Sequence, residues 1–307
     1  MKDFIRRLIR RAVFKYRDLA GIDRLLALTA QQRSHQHRAS APLATLADAE
    51  FSVNSQWGED GVIDYLVGVL GLTTETFVEF GTQDYRESNT RYLLTNRNWR
   101  GLLIDGDKKN LDAVFQDGLG VRHDLQLSAS FITAENIQTL IDAAGFGDHL
   151  GLLSVDIDGV DYWVLEAITA TADIVVVEYN DVFGDMPVSV PYSPDFRREK
   201  AHWSNIYWGA SLAAFQHLLG ERGYMFVGSN RAGSNAFFVS AAHASKVAEL
   251  VDNVRAWPCR FRETRHQDGR PAYRRYDEMS DVIGDLPLVR VDTGEIVPAR
   301  NVVRRHG

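Results

Sequence analysis

Between Thr76 and Ala241, short apolar runs alternate with amphipathic stretches of helical period. This alternation restricts the fold more than any other feature of the chain. TFVEF (Thr76–Phe80), WRGLLID (Trp99–Asp105), VRHDLQL (Val121–Leu127), GLLSVDIDG (Gly151–Gly159) and DIVVVEYN (Asp173–Asn180) read as strands. Ser55–Gly71, Ser88–Arg97, KKNLDAVFQD, Thr133–Gly145, DYWVLEAI and Gly209–Gly223 read as the intervening helices. Glycines stop several of them, and Ser88 is a suitable N-cap.

VVVEY and GLLSV show little polar alternation, as expected of parallel strands buried on both faces. YMFVGSN and NAFFVSA are separated only by RAGS. Four residues cannot make a parallel crossover, so these two strands form an antiparallel hairpin. The expected fold is α/β: a Rossmann-like, doubly wound, mostly parallel seven-stranded sheet with an antiparallel terminal hairpin. Ligands of such sheets bind beyond the carboxyl ends of the strands.

Charge divides the chain. Residues 1–40 carry a net +7, against −7 for all 307 residues, so the remainder sums to −14. An acidic body argues against nucleic acid as a partner, because phosphate binding needs a basic surface. Residues 1–19 form a basic amphipathic helix by periodicity, with Phe4, Ile5, Leu8 and Ile9 on one face and arginines on the other. That face suits an anionic membrane surface or an acidic partner, and equally its own domain or a dimer mate. Peripheral contact with the inner membrane face and homo-oligomerisation are therefore both open. Gln31–Ala41 is polar and reads as a linker, giving an arm over 1–40, a body over 41–250 and an extension over 251–307. His35 and His37 fall in this linker; the pair could ligate a metal, but a solvated linker is the reading taken. A single cysteine, Cys259, excludes a disulfide framework and a Cys-rich metal site. No apolar run is long enough to span a membrane, and no secretory leader is recognisable, so the cytoplasm is the expected compartment.

The expected strand ends are acidic: Glu79–Gly81–Asp84, Asp105, His123–Asp124, Asp156–Asp158 and Glu178–Asn180. Carboxylates at a strand-to-helix turn repel pyrophosphate, the usual ligand there, and favour a cationic one. S-adenosyl-L-methionine carries an ammonium and a sulfonium and no phosphate. Asp105, at the end of the second strand, can accept hydrogen bonds from ribose hydroxyls. It can equally be a turn residue in DGD.

FVEFGTQD, followed by SNT and WRGLLIDGD, resembles the first two motifs of class I S-adenosylmethionine-dependent methyltransferases, and most of all the FkbM-like group that methylates sugar and polyketide hydroxyls. The likeness covers roughly residues 50–243. It implies that the Glu79–Gly81 loop, with Thr82, Asp84 and Asn89 beside it, holds the methionine part. It also implies that Asp105 holds the ribose, that His123 and Asp124 flank the adenine, and that Asp156 borders the cofactor. Many of these enzymes have two or three glycines where this chain has Gly81 alone.

Asp156 and Asp158 are two apart, as are Glu178 and Asn180, so each pair projects to one side of its strand. Asp156, Glu178 and Asn180 form an oxygen donor set suited to Mg²⁺ or Mn²⁺. The alternative is strand-end and helix-start capping, with Asp161 opening the next helix. The pattern is similar to that of divalent-cation-dependent O-methyltransferases, except that Tyr179 separates the second pair and no lysine follows Asp156. A sugar hydroxyl is a poor nucleophile, so a cation would activate it while a base removes its proton. His202 is the first candidate base, with Asp158, Asp161 and Asp181 as alternatives. The segment from Val182 to Ser211 lacks regular periodicity but holds Tyr192, Trp203, Tyr207 and Trp208, which suits a lid over a glycan or glycoside acceptor. Arg197, Arg198 and Lys200 would meet an acidic one.

DTG near the carboxyl terminus reads as a turn before a short strand, not as a protease motif. Two other functional classes remain in view. One is a nucleotide- or dinucleotide-binding sugar-modifying enzyme, which lacks its glycine fingerprint here. The other is a non-catalytic, membrane-recruited binding module of the same fold.

Overall fold

The computed structural model describes residues 21–260 and 263–302. The basic arm over residues 1–19 lies outside them. Seven strands form the main sheet: β1 (Thr76–Phe80), β2 (Arg100–Asp105), β3 (Leu125–Ala129), β4 (His149–Val155), β5 (Thr171–Glu178), β7 (Tyr224–Ser229) and β8 (Asn235–Ser240). Their order is β3-β2-β1-β4-β5-β8-β7. The first five are mutually parallel, and β8 runs antiparallel to both β5 and β7. The doubly wound sheet with a reversed terminal hairpin is thus the fold of this chain.

Alternation within the strands divides the core in two. Val78, Phe80, Val175 and Val177 face one cluster, while Phe77, Ile174 and Val176 face the other. Helices α2 (Glu59–Leu70), α3 (Arg91–Arg97) and α4 (Lys108–Gln116) cover the second face through Val62, Leu66, Leu93 and Leu111. After a short α5 (Leu119–Arg122), helices α6 (Ile137–Ala143), α7 (Asp161–Ala167) and α9 (Leu212–Glu221) cover the first through Ile137, Val164 and Phe215. Burial on both faces explains why β4 and β5 lack polar alternation.

Two expected boundaries are corrected. Gln31–Ala41 is not a linker; it belongs mostly to α1 (Ile22–Ala39). Its polar side chains are in use: Ser34 Oγ donates to Asp64, and Arg38 pairs with the same carboxylate. Arg97 Nε reaches Asp64 at 2.6 Å, so one buried acid joins α1, α2 and α3. His37 is buried and stacks on Phe51. The third strand is Leu125–Ala129, not Val121–Leu127, because residues 119–122 take a helical turn before it. Arg91 opens α3 with Thr90 at the N-cap position, while Ser88 Oγ accepts from Arg91 N at 3.2 Å.

The carboxyl-terminal part folds back onto the body. Leu43 bridges Val251, and β9 (Pro287–Arg290) pairs with both β6 (Val188–Ser189) and β10 (Ile296–Pro298). Asp292–Gly294 lies at the turn between β9 and β10. This small sheet fastens the long segment after β5, which otherwise holds a 3-10 turn (Asp181–Phe183) and the four-residue α8 (Arg198–Ala201). No helix among the described residues is long and apolar enough to cross a membrane.

The turn after β1 fixes how closely β1 and β4 end together. Gly81 has φ +66°, and a Cβ built there would lie 1.9 Å from the Asp156 carbonyl oxygen. Gly81→Ala should therefore lower stability by roughly 3 kcal/mol or more in urea unfolding. An unchanged midpoint would contradict this packing.

Candidate active site at the carboxyl edge of the sheet

The acids at this edge divide by what already holds them. Glu79 is buried, and its carboxylate accepts from Asn89 N at 2.8 Å, from Thr90 N at 3.1 Å and from Thr90 Oγ1. Glu79 thus ties the entry of α3 to β1. Asn89 Nδ2 reaches Ser154 Oγ on β4 at 3.0 Å. Asp84 faces Arg86 at 3.4 Å. Neither Asn89 nor Asp84 lines the two cavities at this edge. Thr82 is buried with its hydroxyl unpartnered. Asp161 accepts from Ile157 N at 2.7 Å and Gly159 N at 2.9 Å, which closes the loop after β4. It is a loop clasp, not a free base.

Asp105 ends β2 beside a cavity of about 400 Å³, within the range of small-molecule pockets. Its carboxylate accepts from Gln83 N at 2.8 Å, Asp107 N at 2.8 Å and Asn110 Nδ2 at 3.0 Å. A carboxylate offers about four acceptor sites, so one remains for a hydroxyl. Gly81, Ile104, Phe131 and Ile132 line the same cavity, and Arg197 stacks over Phe131 at 3.5 Å. His123 and Asp124 are elsewhere. The shift of β3 leaves them before its first residue, at the amino edge of the sheet. His123 Nδ1 lies 3.4 Å from Asn98 Oδ1, and Asp124 pairs with Arg100. The true carboxyl end of β3 leads past Ser130 to Phe131 and Ile132, an apolar wall that the strand misplacement concealed.

A second cavity, of about 240 Å³, opens at the ends of β4 and β5. Gln83, Asp156, Asp158 and Arg198 line both cavities, so the two adjoin. Asp156, Asp158 and Glu178 each bring an oxygen within 4.8 Å of the others. Burial and mutual repulsion push the carboxyl pKa of Asp156 and of Glu178 well above the usual range. Glu178 Oε2 has no donor partner. Arg198 supplies the local countercharge through its ion pair with Asp158, lies over the Trp208 ring at 4.5 Å and donates to Asn205 O. Asn180 lines the cavity, but its amide is engaged: Nδ2 donates to Ile206 O and Trp208 O, both at 2.9 Å, and Oδ1 accepts from Val182 N. The carboxylate set brought together is thus Asp156, Glu178 and Asp158, with Asn180 pinning the segment beside it. Three carboxylates, one with an unpartnered buried oxygen, fit a hard divalent cation.

The segment after β5 combines wall and anchor. Trp208 and Asp181 line the smaller cavity, and Asp181 Oδ2 accepts from Cys259 N at 2.9 Å. Tyr207 donates to Pro287 O, and Tyr192 to Glu135 at 2.6 Å, so these aromatics fasten the segment to the core. His202 lines neither cavity. Its Nδ1 lies 2.7 Å from Ser204 Oγ, its ring packs against Trp203, and burial lowers its pKa.

No protein-family model matches the sequence. No curated protein matches it either. Among solved structures, the chain is similar to the N-terminal domain of EvdMO1, crystallised in the presence of SAH and D-fucose (11% identity, 59% of this chain and 80% of that one, TM-score 0.38). It is also similar to an S-adenosylmethionine-dependent methyltransferase from Clostridium acetobutylicum (9%, 59% and 90%, TM-score 0.37). A third is the CurJ carbon methyltransferase (14%, 63% and 56%, TM-score 0.39). Likeness at this level carries no argument about activity, and the fold assignment rests on the strand order above.

Burial pushes Glu79 and Asp60 up to about 7 and Asp161 up to about 6. In the unfolded chain such groups titrate near 4. Between those limits the folded chain keeps protons that the unfolded chain has released, so stability falls as pH rises. The melting temperature should therefore decline from about pH 5 to pH 7, and Glu79→Gln should flatten the decline. A melting temperature that rises across this interval would contradict the assignment.

Proposed function

We propose that this chain transfers a methyl group from S-adenosyl-L-methionine to a hydroxyl of a sugar or glycan, with assistance from Mg²⁺ or Mn²⁺. The observation that carries this reading is the pair of adjoining cavities with Asp156 and Asp158 in their common wall. One is suited to a cationic nucleoside, the other to a polar acceptor.

The donor, when bound, supplies a methyl group already activated by the sulfonium. Asp105 would orient the ribose through its remaining acceptor site. Ile104, Phe131 and Ile132 offer an apolar slot for the base, and the acidic wall favours the positive charge. Gly81 keeps the turn flat against β4, so that no side chain enters there.

On the acceptor side, Asp156, Asp158 and Glu178 would hold the divalent ion, which when bound would lower the pKa of a hydroxyl beside it. Asp181 faces this cavity outside the set that would hold the ion and is the group placed to take the proton. His202 is better placed to stiffen the wall. Arg198 and Trp208 exclude water from the side of the carboxylates and fix the acceptor's approach.

Calorimetric titration with S-adenosylhomocysteine tests the donor site. Asp105→Asn should weaken binding roughly ten- to a hundredfold, as expected for loss of a charged hydrogen-bond acceptor. Asp124→Asn, at the opposite edge, should leave it unchanged. Equal affinity in wild type and Asp105→Asn would overturn the assignment. For the acceptor site, mass spectrometry of methylated glycans should show Asp181→Asn far below His202→Ala in turnover. The reverse order would return the base to His202.

A further inference from the structure

A third cavity, also of about 240 Å³, lies outside the acceptor cavity and is lined by Glu50, Trp57, Arg231, Ala232 and Arg260. Neighbouring residues serve both hollows. Gln56 lines the inner one and Trp57 the outer, and Cys259 and Arg260 divide in the same way. Consecutive Cα atoms are about 3.8 Å apart, so only a low rim separates the two. The turn joining β7 to β8 builds that rim. Gly233 has φ +69°, and a Cβ there would lie 2.4 Å from Cys259 N, so the turn presses directly on residues 258–260. Arg260 N donates to Ala232 O at 2.8 Å across this junction.

The lining has the chemistry of a sugar-ring site. Trp57 is 44% exposed, and an indole face can cover the C–H face of a pyranose. The Glu50 carboxylate and the Arg260 guanidinium are planar groups able to meet vicinal hydroxyls in pairs. The formal charges balance: Arg231 pairs with Asp48, and Glu50 and Arg260 add one charge of each sign to the lining. An anion would gain little from such a balanced set.

We infer that the Trp57–Arg260 cavity is an outer subsite for a neutral sugar ring, and that the acceptor is an oligosaccharide of at least two rings. This rests on the glycan methylation proposed above: the inner cavity takes the ring to be methylated, and the outer one takes its neighbour. Arg231, Arg260 and Trp57 are then specificity determinants, remote from the reacting atoms.

The test is a glycan array carrying neutral and uronate-containing mono- and oligosaccharides, probed with the full chain in the presence of S-adenosylhomocysteine and Mg²⁺. The best-retained oligosaccharide and its component monosaccharide are then titrated against wild type, Trp57→Phe and Trp57→Ala. Retention of neutral oligosaccharides, with Trp57→Ala weakening the oligosaccharide roughly tenfold more than the monosaccharide and Trp57→Phe retaining most of the affinity, is the expected result. Equal losses for both ligands, no loss, preference for uronates, or no retained glycan would overturn it. S-adenosylhomocysteine binding, measured separately, distinguishes the two levels. Its absence with glycan retention intact defeats the methyl-transfer reading alone, whereas its presence with no Trp57 effect defeats the subsite alone.

Discussion

Repulsion among carboxylates crowded at one edge of a sheet is the constraint to which the rest of this structure responds. Five acids, Glu79, Asp105, Asp156, Asp161 and Glu178, gather at the ends of β1, β2, β4 and β5, where parallel strands deliver them side by side. Each must meet donors, share a proton or face a cation. The chain uses backbone amides for Glu79, Asp105 and Asp161. It leaves Asp156 and Glu178 with Arg198 as the nearest countercharge, through its pair with Asp158. Glu79 and Asp161 are spent on the turns, Asp105 keeps one acceptor site towards its cavity, and Asp156 and Glu178 face the cavities under-satisfied.

That division also explains how scaffold and site depend on one another. The turn at Gly81 is tight because Asp156 O lies against it, and the loop after β4 is held by Asp161. Asn180 draws the segment after β5 over the acidic cluster by donating to Ile206 O and Trp208 O. The small sheet β6–β9–β10 fastens the same segment from outside. A wall built in this way keeps Arg198 and Trp208 beside the carboxylates with little freedom to move, the preorganisation that positioning of an acceptor needs.

The fold was legible in the sequence because burial on both faces writes continuous apolar runs, as in VVVEY, and because the five residues between β7 and β8 leave only a hairpin. The third strand was misplaced for an equally physical reason. Val121 carries a strand-like side chain, but Gly118, in a left-handed conformation, starts a short helical turn over 119–122 instead. That displacement carried His123 and Asp124 to the wrong edge and hid Phe131. The polar run Gln31–Ala41 resembled a linker because its anchor, Asp64, lies thirty residues away from Ser34 in sequence. The convergence of Asp156 and Glu178 followed from period-two spacing. The engagement of Asn180 by Ile206 O and Trp208 O depended on tertiary partners that spacing does not reveal, whereas His202 Nδ1 is taken up locally by Ser204, two residues on.

Anomalous diffraction from a crystal grown with Mn²⁺ and S-adenosylhomocysteine would interrogate the acidic edge most directly. The account predicts one manganese peak ligated by Asp156, Asp158 and Glu178, with the nucleoside ribose against Asp105. A nucleoside bound at the amino edge, or manganese absent from these carboxylates while the nucleoside is in place, would contradict it.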